Sequence, residues 1–381
     1  MDEQLADPVK RGVLLSRPVL RLRDISVASL LFCFIVYFMA ALRGIFPATP
    51  AIAIVCSLLV LIVLVSLRAV VQLQLSPSRL SKAGAMCLFL SFLAWEAPFD
   101  GGFLVILSLL CLALSIGFYL GCSLRELAQS GESLTDSQFF RPILSRAMAL
   151  MALASLFLLM RWVFGWFLAM RVMLLVPAVV LVLELRQKGS SEKEERLLIR
   201  GYLKNEWVHM LAYGLFLAGV VLLFLNLVAS FILGLEGQHA LQITLGLLLI
   251  ASVALLKLFP EAYRHYYLSL AAILMLLASA VLYGDNQPMM ILWLIITVLV
   301  GAALGGGALS FKIACTAREP MARIRLFYVT VIIALLVITA YPICHYALGP
   351  QASLILAPSI LFLALLVSFF VQQFSAKKIG S

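Results

Sequence analysis

Charge is scarce in this chain of 381 residues. Asp, Glu, Lys and Arg together make up 12% of it, against 64% hydrophobic residues. That balance excludes a soluble globular domain, because no such surface could be covered with so few ionised groups. The acids are the scarcer sign, and no Asp or Glu falls in the middle of any apolar stretch. The seven cysteines (33, 56, 87, 111, 122, 315 and 344) form no CxxC pair and no cluster, which excludes a disulfide framework and a metal-binding knuckle. The four histidines (209, 239, 265 and 345) are too scattered to share one metal. The sequence lacks a Gly-rich phosphate loop ending in Lys-Ser/Thr, a HExxH and a GxSxG, so neither an enzymatic activity nor a cofactor is expected. It also lacks an N-x-S/T acceptor, which favours a bacterial inner membrane over a eukaryotic surface. The charged tail before Ile25 has no cleavable-signal pattern, and the first apolar run reads as an uncleaved anchor.

What is abundant is the long apolar run. Runs of about twenty residues, each enough to cross a hydrocarbon core of roughly 30 Å, recur along the whole chain. The predicted spans are 25–43, 50–70, 84–98, 102–122, 143–160, 162–184, 207–233, 240–258, 266–283, 288–311, 326–346 and 351–374. An open chain can satisfy its backbone in lipid only as helix, so the expected class is all-α: a polytopic bundle of twelve transmembrane helices. The net charge of +10 is arranged, not scattered. Of the 28 Lys and Arg residues, all but Arg43, Arg161 and Arg171 lie in the N-terminal tail, the C-terminal tail or every second gap. Basic residues mark cytoplasmic segments, so both termini are expected inside. The basic charge therefore implies contact with anionic membrane lipids and no nucleic acid. The opposite gaps are very short, from the Pro47–Pro50 turn to Leu348–Pro350, and leave no room for an outer domain.

The two groups of six repeat. Starts at residues 25, 84, 102 and 143 correspond to starts at 207, 266, 288 and 326. The expected division is a cytoplasmic tail (1–24), a six-helix bundle (25–184), a charged linker (185–206), a second six-helix bundle (207–374) and a tail (375–381). The linker holds Gly189-Ser190-Ser191 followed by a charged stretch in which Leu197, Leu198 and Ile199 could lie on the membrane surface. A parallel repeat of this kind puts a site at the midplane between its halves.

The six-plus-six arrangement, the charged central loop and the inward termini resemble the major facilitator superfamily over nearly the whole chain. The segment Ser76-Pro77-Ser78-Arg79-Leu80-Ser81-Lys82 lies where that family carries its best-known loop motif. Arg79 and Lys82 match the basic positions, Ser78 stands where an Asp is usual, and Ser81 where a Gly is usual. The second-half counterpart, residues 260–265, is looser. The resemblance implies a carrier that rocks two helix bundles around a central site, with Arg79 and Lys82 in gating.

Arg171 is the sharpest residue. It lies nine residues beyond Trp162, about 13 Å along a helix and near the bilayer centre. An Arg there costs at least roughly 2.5–3.5 kcal/mol if it faces lipid. It is therefore expected in a cavity, where a guanidinium clamps carboxylate or phosphate bidentately. The alternative is a bond to backbone carbonyls or to a neighbour such as Asn226. Phe167 precedes Arg171 by one helical turn and could wall the same cavity. Tyr213 and Asn226 are the second-half polar candidates, but thirteen residues separate them, about 140° around a helix. Only one can face the cavity squarely. Glu96 and Asp100, at the outer rim, are the candidate coupling carboxylates, with a solvated rim as the plainer reading. Gly117 and Gly121 in span 4, and Gly301, Gly305, Gly306 and Gly307 in span 10, point to close helix packing, with a hinge as the alternative.

These residues point to a facilitator or exchanger of a small anionic or amphipathic solute. The competing expectation is a sensor or accessory subunit of transporter fold, one that binds a ligand or a cytoplasmic or membrane protein partner without pumping. The missing mid-span carboxylates and Ser78 favour that second reading.

Overall fold

The computed structural model describes residues 50–72, 75–96, 102–129, 149, 152–153, 156, 159–160, 162–165, 175–186, 207–234, 266–284, 290–316, 320–340, 347–348 and 350–379. No strand occurs among them. The helices are α1 (Pro50–Gln72), α2 (Pro77–Glu96), α3 (Gly102–Gln129), α4 (Leu175–Arg186) and α5 (Trp207–Gly234). They continue with α6 (Tyr267–Gly284), α7 (Met290–Thr316), α8 (Pro320–Ile338) and α9 (Pro350–Ile379). The expected spans 25–43 and 240–258, and nearly all of the 185–206 linker, lie outside the described residues.

Several helices outrun the apolar stretches that foretell them. α2 starts at Pro77, not at residue 84. The Arg79 N–H donates to the Ser76 hydroxyl at 3.4 Å, and the Leu80 N–H donates to the Ser76 carbonyl at 3.1 Å. Ser76 thus caps the helix, and Pro77 fills the first position, where a missing N–H costs nothing. The segment that reads as a loop in sequence is this cap and the first turns, so Arg79 and Lys82 are helical. α8 likewise begins at Pro320, six residues before the expected 326, and α7 runs to Thr316. Hydropathy marks where lipid ends; a capped helix continues into water. Residues 159–160 and 162–165 are helical on both sides of Arg161, and the left-handed turn falls at Gly165, with φ +78°.

The packing repeats between the helices before and after the central linker. α2 packs on α3 and α4; at the corresponding places α6 packs on α7 and α9. Buried hydroxyls tie both sets together. Ser91 and Ser108 link α2 to α3, the Ser108 hydroxyl donating to the Ser91 carbonyl at 2.8 Å, and Ser115 donates to the Gly84 carbonyl at 2.8 Å. Ser81 donates to Glu184 between α2 and α4, while Ser269 and Ser368 pair at 2.7 Å between α6 and α9. In lipid, helices associate through close packing and such bonds, since tails are as apolar as leucine. Gly117 and Gly121 show the first cause directly. They admit Ser66 and Val70 of α1 to the positions a methyl group would take. α5, α6, α7, α8 and α9 share one apolar core, including Met210, Leu222, Met275, Ile296 and Leu361. The outward faces stay apolar: Val65, Val179, Phe362 and Phe370 are all exposed. Pro358 sits inside α9, where its missing N–H leaves the Leu354 carbonyl without the usual partner.

Candidate functional site

The helices before and after the linker meet where α8 lies against α1 and α3. Leu67 of α1 and Leu124 of α3 are buried there against Ile324 and Val331 of α8. Val71, Leu120, Phe327, Tyr328 and Leu335 close the seam around them. Spacings of three and four place Ile324, Phe327, Tyr328, Val331 and Leu335 on one face of α8.

Behind the seam lies a short polar and aromatic chain. The Tyr213 hydroxyl on α5 is hydrogen-bonded to the Ser310 hydroxyl on α7 at 2.8 Å. The Tyr213 ring meets Phe311 edge-on, with centroids 5.4 Å apart, and Phe311 meets Phe327 of α8 at 6.2 Å. Both distances lie in the favourable range for aromatic pairs. Tyr213, read in sequence as a candidate ligand group, is therefore buried among three helices. Its hydroxyl has a protein partner there.

The other site residues are distributed as follows. Arg79 is exposed and Lys82 half-buried on the first turns of α2, on either side of Ser81. Ser81 donates at 2.8 Å to Glu184, a carboxylate only 2% exposed. Glu96 is the last residue of α2 and Asn226 is part of α5, but the side chains of both lie outside the described residues. Arg171, Phe167 and Asp100 also lie outside them. Sequence reasoning missed Ser310, Phe311, Phe327 and the burial of Glu184. A Ser-Phe step near the end of an apolar run carries no signal of its own. Glu184 reads as the charged end of a span until α2 is extended back to Pro77. Among the described residues no group of His, Cys, Asp and Glu could hold a metal ion.

No family model matches the sequence, and no curated protein matches it. Solved structures do. The chain superposes on the human organic anion transporter MFSD10 (TETRAN) with a TM-score of 0.61, covering 91% of this chain and 96% of that one at 14% identity. That protein is a transporter of the major facilitator superfamily. The fold is of the major facilitator superfamily type. A chain with this fold, and with apolar faces such as those of α4 and α9 turned outward, is a helical membrane protein. The seam joins helices α1 and α3, before the central linker, to α8, after it.

Proposed function

We infer that the chain is a secondary transporter, a facilitator or exchanger that moves a small anionic or amphipathic solute by alternating access. The observation that carries this reading is the likeness of fold, over nearly the full length of both chains, to an organic anion transporter. The basic residues of the sequence support the same reading in finer form: twelve spans in two groups of six, both termini cytoplasmic, in a bacterial inner membrane. Arg171 is the residue we assign to the anion, because a guanidinium within a span needs a charged or polar partner. Phe167, Tyr213 and Asn226 are assigned to the cavity beside it. Arg79 and Lys82 are assigned to gating on the cytoplasmic side, and Glu96 and Asp100 to the outer rim. The partners of this activity are the solute and the surrounding lipid.

Ligand-induced thermal stabilisation across a panel of carboxylate- and phosphate-bearing metabolites tests the assignment. A binder present at ~100 Kd adds about 2.7 kcal/mol to stability. Wild-type protein is expected to gain stability from at least one anion, and Arg171→Ala to lose that gain while melting as a folded protein. A gain that survives in Arg171→Ala removes Arg171 from the site.

A further inference from the structure

We propose that Tyr213, Phe311 and Phe327 form a latch that holds the α1/α3–α8 seam shut, released when a solute takes the Tyr213 hydroxyl from Ser310. The proposal rests on the transport reading and extends it to how occupancy is sensed. Three observations carry it. Phe327 belongs to two environments at once: it packs against the seam with Leu67 and Leu124, and edge-on against Phe311 behind it. Phe311 follows Ser310 directly, so the hydrogen bond from Tyr213 to Ser310 and the ring contact from Tyr213 to Phe311 fix the same turn of α7. The two sides of the seam are separately braced. α3 is drawn onto α1 at Gly117 and Gly121, and α8 is drawn onto α5 at Gly214, where a methyl group would meet Ile333 and the Thr330 carbonyl. Braced walls move as units, so the apolar contact between them is the interface free to part. It is held on the α8 side by the rotamer of Phe327. Phe311 and Phe327 are thus positioning residues, and Tyr213 is the member of the latch whose hydroxyl exchanges its partner for the solute.

Hydrogen–deuterium exchange of the full chain in detergent reads the seam without requiring transport. Tyr213→Phe removes one hydroxyl and keeps the ring. A single neutral hydrogen bond of ordinary strength then predicts a roughly two- to tenfold faster exchange in segments 120–124 and 324–328. Phe327→Leu, which keeps an apolar side chain should Phe327→Ala fail to fold, is expected to speed the same segments. Because both substitutions open one latch, the double variant is expected to exchange no faster than the faster single variant. Unchanged exchange in Tyr213→Phe overturns the latch, as do effects that simply multiply in the double variant. Uptake measured on the wild-type protein separates the two ideas. Faster seam exchange in the variants, with no uptake of any solute by the wild-type protein, would leave the three residues as the clasp of the seam and remove the transport reading.

Discussion

At the scale of single residues, burial decides which polar groups matter. A carboxylate 2% exposed must be supplied with donors, and Ser81 supplies one to Glu184 at 2.8 Å. Removing a donor from a buried acceptor costs about 1–3 kcal/mol. Ser81→Ala is therefore expected to lower stability by that amount, seen as a lower midpoint in thermal unfolding, while Ser78→Ala, one turn away and half-buried, leaves it unchanged. Equal effects would mean that Ser81 acts only through local helix propensity. The contrast with Arg171 is instructive. Arg171 is singled out by the sequence alone, because a guanidinium in an apolar run has no inexpensive environment. Glu184 is not legible in this way: it closes an apolar run, where a charge costs nothing until another helix covers it. Tyr213 falls between the two. Its place in a span is plain from the sequence, but its hydrogen bond to Ser310 depends on how α5 meets α7, which no spacing within either helix encodes.

At the scale of elements, glycine and serine set how closely the helices approach. Gly121 of α3 accepts Val70 of α1 into the space of its absent side chain, and Gly117 does the same for Ser66. Filling that space forces the pair apart, and overpacking typically costs about 1–3 kcal/mol. Gly121→Leu is expected to lose stability on this scale, as a lower melting temperature of the purified protein. It should also speed hydrogen exchange in α1 and α3 but not in α6. Uniform loss across the chain would show that the contact does not define a separate packing unit. The close-packing role of this pair was legible in sequence from the four-residue spacing on one helix face. The lengths of the helices were not. Apolar runs locate what lipid must cover, whereas Ser76-Pro77 and Pro320 locate where the backbone begins to turn. Those caps lie outside the hydrophobic signal.

At the scale of the whole molecule, the repeat and the seam belong together. The α2–α3–α4 set and the α6–α7–α9 set are packed alike, each tied by buried hydroxyls, and α8 brings the second set's side of the chain against α1 and α3. The all-helical class was legible in sequence because lipid leaves the backbone few choices. The meeting of the halves was not, since apolar residues that face another bundle look the same as those that face lipid. The proposed carrier role requires that the apolar contact of α8 with α1 and α3 can part. The most direct test of that account is counterflow in proteoliposomes loaded with whichever anion stabilises the purified protein. Labelled anion added outside is expected to accumulate transiently in vesicles bearing wild-type protein, and not in those bearing Arg171→Ala. An anion that binds and stabilises the wild-type protein yet never enters the vesicles would contradict transport and mark the chain as a binding protein built on a transporter fold.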